Sequence, residues 1–500
     1  MTRLHLGRGL VPLLLLSLPV AASAADELYL SATNKFEYRR FDQESRREEA
    51  LRNRLEVSAY QGIFGAWVRL EGLQISAPSF YDPYGVFEET DEPGRIDRTE
   101  VTKRLFTVNT DSFRAEVGDV SHTFGRGLML SVFEDEALNF DTRLEGFRGR
   151  VDHERGSATV IAGSAEGNRF RGVFVEPDAR GPVRAGAGFV EAWGGESNTD
   201  VFPREQHAGA FAEVAAGPAN FYGEYVERRF PGLEGAGAFG TPGRGAFAAA
   251  DITLGSATAS VEVRDFFRFE HAYNDPPTTL RQHTWTSLNR VNGQVLADIP
   301  DDDVLGVLAS AEYAYDFFTT FQGSWSRLDR GDNDDDFFEV YGEAKGNWRE
   351  KVFVTAAASE SELSFGTLFE ERIGGFGEVV YEFNDRNSLS VGVEWSEIQE
   401  SSRVTREFEF PHEFSERIWY ASWGRSPWLN LTFTYEDTTE EDPAEDRDEW
   451  YTLFAEIAVA ENHDLNVSFG SEKGGWKCTG GVCFFEPEFE GLKVKWVARF

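Results

Sequence analysis

Apolar and polar residues alternate with a period of two over many short segments of this chain. In residues 389–396, 429–436 and 465–469 every odd position is apolar, and every even position is small, polar or charged. Successive side chains of a β-strand point to opposite faces, so each segment predicts a strand with one apolar and one polar face. Such strands also occur in water-soluble sandwiches, and it is their repetition along the chain that favours a barrel.

The connections between these segments alternate between tight and long, which is typical of barrels that cross an outer membrane. We therefore predict an all-β fold: one closed antiparallel transmembrane β-barrel of about 22 strands (range about 18–24), with short periplasmic turns and long extracellular loops. The predicted tight connections are Gln61-Gly62, 216–218, Asp316, Gly346-Asn347 and 384–387, and the predicted long ones are 79–97, 194–204, 229–243, 270–281, 329–336, 400–412 and 437–447.

The first residues have the features of a cleaved export signal. Arg3 and Arg8 precede a short apolar run at 11–20, and small residues at 22–24 suit a signal peptidase. The run is too short to span a bilayer as a helix. We expect a signal peptide at residues 1–24, a barrel over residues 25–500, and a location in the cell outer membrane.

The chain is strongly acidic, with a formal net charge of −37. This excludes a nucleic-acid partner, because such proteins need basic patches. The acidic runs fall in predicted loops, for example 329–336 and 440–449. They serve either as solvated surface or as sites where divalent cations bridge the loops to lipopolysaccharide.

The last nine residues predict an assembly signal. Residues 492–500 alternate, with Val494, Trp496 and Phe500 on the apolar face. A terminal Phe behind such a strand resembles the targeting strand that the barrel-assembly machinery of the outer membrane reads. We therefore expect that machinery, and the lipid of the outer membrane, as partners.

Cys478 and Cys483 are the two cysteines of the chain. Four residues separate them, two of which are glycines, no His is near, and exported proteins meet an oxidising compartment. These features favour a disulfide; a metal or redox role and free thiols are the alternatives.

Nothing in the sequence predicts an enzyme, a cofactor or a metal. Ser121 and His122 are adjacent, so on a strand their side chains point to opposite faces and cannot act together. No nucleophile elbow, zinc-protease motif or phosphate-binding loop is present. We expect no catalytic activity.

Residues 121–150 interrupt the regular succession of predicted strands and turns. They contain Phe-Gly-Arg-Gly-Leu at 124–128, and the cysteine loop and the terminal Arg-Phe follow later in the chain. These features together resemble an uncharacterised family of bacterial outer-membrane β-barrel, porin-like proteins. The resemblance runs from about residue 100 to the end and implies the fold, without an activity.

We predict that residues 121–150 enter the lumen as a constriction. Gly125 and Gly127 flank an arginine and permit a tight backbone, and three consecutive carboxylates would turn at least one towards lipid on an ordinary strand. The alternative is an external loop whose charges face water. The predicted constriction residues are Arg126, Glu134, Asp135, Glu136, Arg143, Arg148 and Arg150.

A barrel of this size encloses more space than side chains can fill. The sequence therefore predicts a porin-like channel for passive or weakly selective passage of small solutes. The alternative is a plugged, non-enzymatic barrel whose acidic loops hold a surface partner. An energised siderophore-type transporter is disfavoured, because strand-like sequence begins soon after the predicted cleavage site. The solute and the oligomeric state stay open.

Overall fold

The apolar face of each predicted strand points away from the barrel axis. Phe433 and Phe469 are 50% and 62% exposed, whereas their polar neighbours Glu436 and Ser468 are buried. In a water-soluble domain the exposed and buried faces would be exchanged. The outer surface therefore has the character that a lipid environment requires.

The wall is a closed antiparallel ring of 24 strands. Each strand pairs with its neighbours in chain order, and β30 pairs with both β27 and β1, which leaves no open edge strand at the seam. The wall strands are β1 (Tyr29–Gln43), β2 (Arg46–Gln61), β3 (Phe64–Ile75), β4 (Ile96–Asn109), β5 (Phe113–Val120), β10 (Leu144–His153), β11 (Gly156–Ala165), β12 (Asn168–Pro177), β13 (Val183–Gly194), β14 (Glu205–Ala216), β15 (Ala219–Arg229), β16 (Gly243–Leu254), β17 (Ala257–Phe267), β18 (Val304–Ala314), β19 (Thr320–Arg330), β20 (Asp335–Arg349), β21 (Val352–Phe365), β22 (Leu368–Asn384), β23 (Asn387–Ser402), β24 (His412–Arg425), β25 (Leu429–Thr438), β26 (Glu449–Ala460), β27 (His463–Glu472) and β30 (Phe489–Arg499).

Three short hairpins lie outside the wall ring. They are β6 (His122–Thr123) with β7 (Ser131–Val132), β8 (Glu134–Asp135) with β9 (Phe140–Asp141), and β28 (Gly475–Thr479) with β29 (Val482–Glu486).

These elements come from a computed structural model of the chain, which describes most of the residues. Residues 1–26, including the predicted signal peptide, lie outside the described part. No helix of the described residues is long and apolar enough to cross a membrane. The described residues are 27–43, 46–76, 96–136, 140–165, 167–179, 181–194, 204–231, 241–269, 277–281, 283, 286, 290–291, 295, 303–331, 335–366, 368–402, 412–440, 447–479, 482–486 and 488–500.

The all-β closed barrel is confirmed, and its 24 strands lie within the predicted range. One rim has only short connections, and all the long ones lie on the opposite rim, together with a few tight hairpins. The tight turn predicted at Gly346-Asn347 is wrong. These residues lie inside β20, whose pairing with β21 shifts between Asn347 and Arg349, and the turn follows at 350–351.

The described residues of two connections lie inside the barrel. The first insert, residues 121–143, links β5 to β10 and contains the hairpins β6–β7 and β8–β9. The second insert consists of the described residues of the connection 268–303, which links β17 to β18. Both contact side chains on the inner face of the wall, so they determine the shape of the lumen.

Candidate functional site

The first insert packs an apolar ridge against an aromatic sector of the inner wall. Its Phe124, Leu128, Met129, Leu130 and Val132 are at most 1% exposed. They cluster with inward-facing rings of β12 to β17, including Phe170, Phe174, Phe211, Phe247 and Phe266. Five such side chains stabilise the docked insert by about 10 kcal/mol in total. The first insert is therefore a fixed part of the fold.

The glycines of the Phe-Gly-Arg-Gly-Leu motif allow its backbone to approach the wall. Gly125 and Gly127 have positive φ values of 59° and 95°. A Cβ on Gly125 would meet the carboxylate of Glu224 on β15. Glu224 accepts the backbone N–H of Arg126 at 2.7 Å and the hydroxyl of Tyr222 at 2.6 Å. The backbone of the motif thus packs against one buried carboxylate and donates a hydrogen bond to it.

The Arg126 side chain points to the aromatic sector. Its guanidinium lies 4.5 Å from the centre of the Tyr222 ring and 3.9 Å from Glu262 of β17. No contact with the three consecutive carboxylates of the first insert is seen among the described residues. Arg126 therefore lines the lumen apart from the other predicted constriction residues.

The carboxylates of the first insert contact the opposite side, where β1 to β3 supply basic partners. Glu134 pairs with Arg143 at 2.8 Å and with Arg69 of β3. Glu136 pairs with Lys35 of β1 at 2.5 Å and with Arg54 of β2 at 3.4 Å. The sequence did not single out these wall residues. Asp135 lies between the two carboxylates, where its backbone pairs with that of Phe140.

Burial alone would raise the pKa of Glu136, but the hydrogen bond from Lys35 and the charges of Arg54 and Arg69 lower it below its ordinary value. The pKa of Asp141 is lowered in the same way, because hydrogen bonds from Arg143 and Lys103 outweigh its desolvation. Both carboxylates of the first insert are therefore ionised at neutral pH, and their ion pairs are intact there.

Arg148 and Arg150 lie on the wall strand β10, not in the first insert. Arg148 pairs with Glu116 at 2.8 Å and also donates to the backbone oxygen of Ser121. Arg150 pairs with Asp152 at 2.8 Å. Of the predicted arginines, only Arg143 contacts a carboxylate of 134–136 within the described structure. Whether the seven residues act as a solute constriction stays a prediction.

The second insert was predicted only as a long connection, at 270–281. Its Leu280, Val291 and Val295 are buried in an apolar cluster with wall residues of β18 to β21, among them Leu328 and Phe337. Thr286, Arg290, Val291 and Val295 have helical backbone conformation. The four-residue spacing of Val291 and Val295 was the available signal for this contact face.

Polar contacts tie the second insert to the acidic sector of the wall. His283 lies 2.9 Å from Glu339 of β20. The backbone N–H of Thr286 donates to Glu394 of β23 at 3.1 Å. Arg290 forms a bidentate ion pair with Glu436 of β25, with 3.2 Å between Nη2 and Oε2. Among the described residues, this insert has fewer buried apolar side chains than the first and is tied to the wall through His283, Thr286 and Arg290.

The inner face of β20 to β26 is rich in glutamate. In the described part of these strands, carboxylates outnumber the basic side chains of the same face, of which Lys345 and Arg372 are two. Some of the carboxylates are already paired with the second insert or with these bases. The inward glutamates include Glu339, Glu343, Glu370, Glu378, Glu394, Glu416, Glu436 and Glu456.

A cavity of about 770 Å³ lies at the short-turn end of this acidic sector. Its lining includes Arg386, Arg425, Asn430, Glu456 and Arg499. The mixture of charges and amides makes it a polar vestibule, and no group of three or more metal-ligating side chains occurs among the described residues.

The cysteines lie in the β28–β29 hairpin before β30, and the assembly residues lie between the middle of β30 and the residue after it. Cys478 and Cys483 are direct partners in the β28–β29 ladder, but their side chains lie outside the described part, so the disulfide stays a prediction. Phe500 exchanges two backbone hydrogen bonds with Ala32, and Trp496 and Phe500 are both exposed on the outer face. Val494 pairs with Tyr38 across the barrel seam. Recognition of this strand during assembly also stays a prediction.

Comparison with known proteins agrees with the fold. Residues 369–500 match the model of a family of unknown function, DUF6029. No curated protein matches the chain in sequence. The translocation pore of the P pilus usher PapC has a TM-score of 0.50 at 9% identity, covering 94% of this chain and 98% of that one.

Two further solved structures match this chain at lower scores. The outer-membrane transporter YddB from Escherichia coli has a TM-score of 0.46 at 8% identity, covering 94% of this chain and 81% of its own. The FrpB iron transporter from Neisseria meningitidis has a TM-score of 0.46 at 8% identity, covering 96% and 83%. At such identities similarity extends to the fold alone, and the chain has the fold of outer-membrane β-barrels.

Proposed function

We propose that this chain is a porin-like pore of the outer membrane for passive passage of small hydrophilic solutes, with a preference for cations. The observation that carries the proposal is the glutamate-rich inner face of β20 to β26, on which Glu456 is exposed and Glu378 and Glu416 are half-buried, while the other glutamates of this face are buried behind them. Carboxylates that line an aqueous pore attract cations and repel anions. The acidic loops of the chain add to this effect, since they concentrate cations near the mouth.

The two inserts set the width of this pore. The first is anchored by about 10 kcal/mol of apolar burial and serves as a fixed constriction. The second depends more on Arg290 and His283, whose partners are wall glutamates. Solutes would pass along the acidic sector, beside the second insert, to the polar vestibule at the short-turn rim, which we assign to the periplasmic side.

A plugged barrel is the second candidate function. It is favoured by the tight packing of the first insert, whose five apolar side chains are fully buried in the lumen. In that case the inserts would seal the barrel and the acidic loops would hold a surface partner, with divalent cations bridging them to lipopolysaccharide. Assembly by the outer-membrane machinery is expected for either candidate.

Single-channel recording in planar bilayers separates the two. A pore gives discrete conductance steps with the unmodified chain, whereas a plugged barrel gives none. The substitution Arg290→Ser removes the ion pair between the second insert and Glu436, and it should raise the conductance. The matched control is Arg417→Ser, which removes an ion pair to Asp437 from a half-exposed arginine and should leave the conductance unchanged. Absence of steps in all three proteins contradicts the pore.

A further inference from the structure

The barrel wall has a notch between β4 and β10. On one side β4 pairs with β3 from Ile75↔Ile96 to Phe64↔Val108. On its other side, the ladder with β5 extends only from Asn109 to Leu105. β5 and β10 both leave the wall at the pair Val120↔Leu144 and continue into the first insert. Above this point the upper part of β4 has no described strand beside it.

Two carboxylates lie at the base of the notch. Asp119 accepts the backbone N–H of Arg104 at 2.6 Å, which is the first donor beyond the last β4–β5 pair. It therefore takes the place of the missing strand. The Arg104 guanidinium reaches across β5 and pairs with Glu145 of β10 at 2.6 Å. One ion pair thus bridges the two sides of the notch.

This ion pair is on the lipid-facing surface. The Arg104 and Glu145 side chains are 60% and 63% exposed. On the same outer face, Val101 and Phe106 of β4 are 55% and 54% exposed, and Val117 of β5 is 52% exposed. Arg104 lies between Val101 and Phe106 in the sequence of β4, and Glu145 is the second residue of β10, so the pair lies at the long-loop edge of the apolar band. Charged side chains cost less free energy there than at the bilayer centre, and they are level with the lipid headgroups.

We propose that the notch is a lateral port that takes up the headgroup of a zwitterionic phospholipid from the surrounding bilayer. The phosphate pairs with Arg104, because a guanidinium forms bidentate hydrogen bonds to phosphate oxygens. The ammonium of the same headgroup pairs with Glu145. Within the described residues, no strand pairs with the β4 edge between Arg104 and the long-loop rim, so a headgroup can lie along this edge while its acyl chains stay in lipid. This inference does not depend on the proposed pore.

Photolabelling in vesicles tests the port directly. The full chain is reconstituted in phosphatidylethanolamine and phosphatidylcholine vesicles that contain a phosphatidylethanolamine with a diazirine on its headgroup. Illumination should label peptides around Arg104 and Glu145 several-fold more strongly than peptides of the fully paired strand β23. In the double variant Arg104→Leu with Glu145→Leu, this labelling should fall to the level of β23. Heat-modifiable gel mobility reports that each variant is folded.

The matched control is Arg184→Leu with Glu176→Leu, which removes an ion pair of similar length (3.1 Å) elsewhere in the barrel and should leave the labelling unchanged. Equal labelling of the notch in the unmodified chain and in the Arg104, Glu145 double variant would overturn the proposal. So would a photocrosslinking residue at Val101 that captures a polypeptide in cells instead of lipid, because the edge of β4 would then bind a protein strand.

Discussion

Arg69 of β3 and Glu134 of the first insert form a bidentate ion pair inside the barrel, with 3.0 Å between Nη2 and Oε2. The Arg69 side chain is only 4% exposed, and it also contacts Glu56 at 2.8 Å and Glu136 at 3.1 Å. One arginine therefore joins a wall hairpin to two carboxylates of the insert. This contact fixes the end of the first insert that lies far from the aromatic sector.

Replacing Arg69→Met should lower the free energy of unfolding by about 3 kcal/mol, because it leaves buried carboxylates without their partner. Urea unfolding of the refolded barrel in vesicles measures this. The control is Arg150→Met on β10, whose pair with Asp152 is exposed and should contribute less than about 1 kcal/mol. Equal losses in both variants would show that Arg69 does not hold the insert.

Gly125→Ala should destabilise the barrel by about 3 kcal/mol. The new Cβ would lie 2.4 Å from Oε2 of Glu224, and the residue has a φ of 59°. Glu224 could move only by giving up its bonds to Arg126 and Tyr222. Gly167→Ala is the control, because its φ of 79° gives the same backbone strain with no atom within 4 Å. We expect about 1 kcal/mol there. Thermal unfolding in detergent compares the two.

His122 should make the barrel sensitive to mild acid. Burial, together with the charges of Arg148 and Arg150, lowers the pKa of His122 to about 4. Between pH 6.5 and 4 the unfolded chain binds a proton that the folded chain does not. Stability is therefore complete above pH 6.5 and falls by up to roughly 3 kcal/mol as the pH approaches 4.

His122→Phe should remove this part of the pH dependence while keeping the ring contact with Phe174, whose centroid lies 4.6 Å away. The melting temperature of both proteins is measured from pH 7.5 to 4.5. The exposed His153, replaced by Gln, is the control and should melt like the unmodified chain at each pH. A constant difference between His122→Phe and the unmodified chain across this range would contradict the assignment.

Replacing both Trp496 and Phe500 with Ser should give exported but unassembled, protease-sensitive protein. Phe500 pairs with Ala32 at the barrel seam, and the Trp496 and Phe500 side chains both contact His463 at the short-turn rim. The loss should exceed what two apolar contacts contribute, because recognition during assembly is removed as well. Heat-modifiable gel mobility and protease digestion of cells report the result. Normal mobility of the double variant would refute the assembly signal.

The wall of the barrel could be predicted from sequence because lipid imposes a strict alternation on every crossing segment. The segments at 389–396 and 429–436 lie in β23 and β25, with their apolar residues outwards. Where the apolar face is interrupted, as at Gly346-Asn347, the sequence predicts a turn although the strand continues. Glycine and asparagine are common both in turns and in β-bulges, so their presence alone does not show whether the strand ends there or continues along its partner.

The lumen was less predictable, since its contacts join residues far apart in sequence. The glycines and carboxylates of 121–143 indicated an unusual segment, but Lys35, Arg54 and Arg69 become its partners only when the ring closes. The second insert gave a weaker signal. Its Arg290 meets Glu436, which is 146 residues away, and no local pattern specifies that pair.

The reversal potential under a KCl gradient is the most direct test of the proposed pore. We predict a potential shifted towards the potassium equilibrium value, because the solute path runs along the glutamates of β20 to β26. Glu378→Gln with Glu456→Gln should move it towards zero, and the outward-facing control Glu360→Gln should leave it unchanged. A chloride-directed potential, or the same potential in all three proteins, would contradict the account.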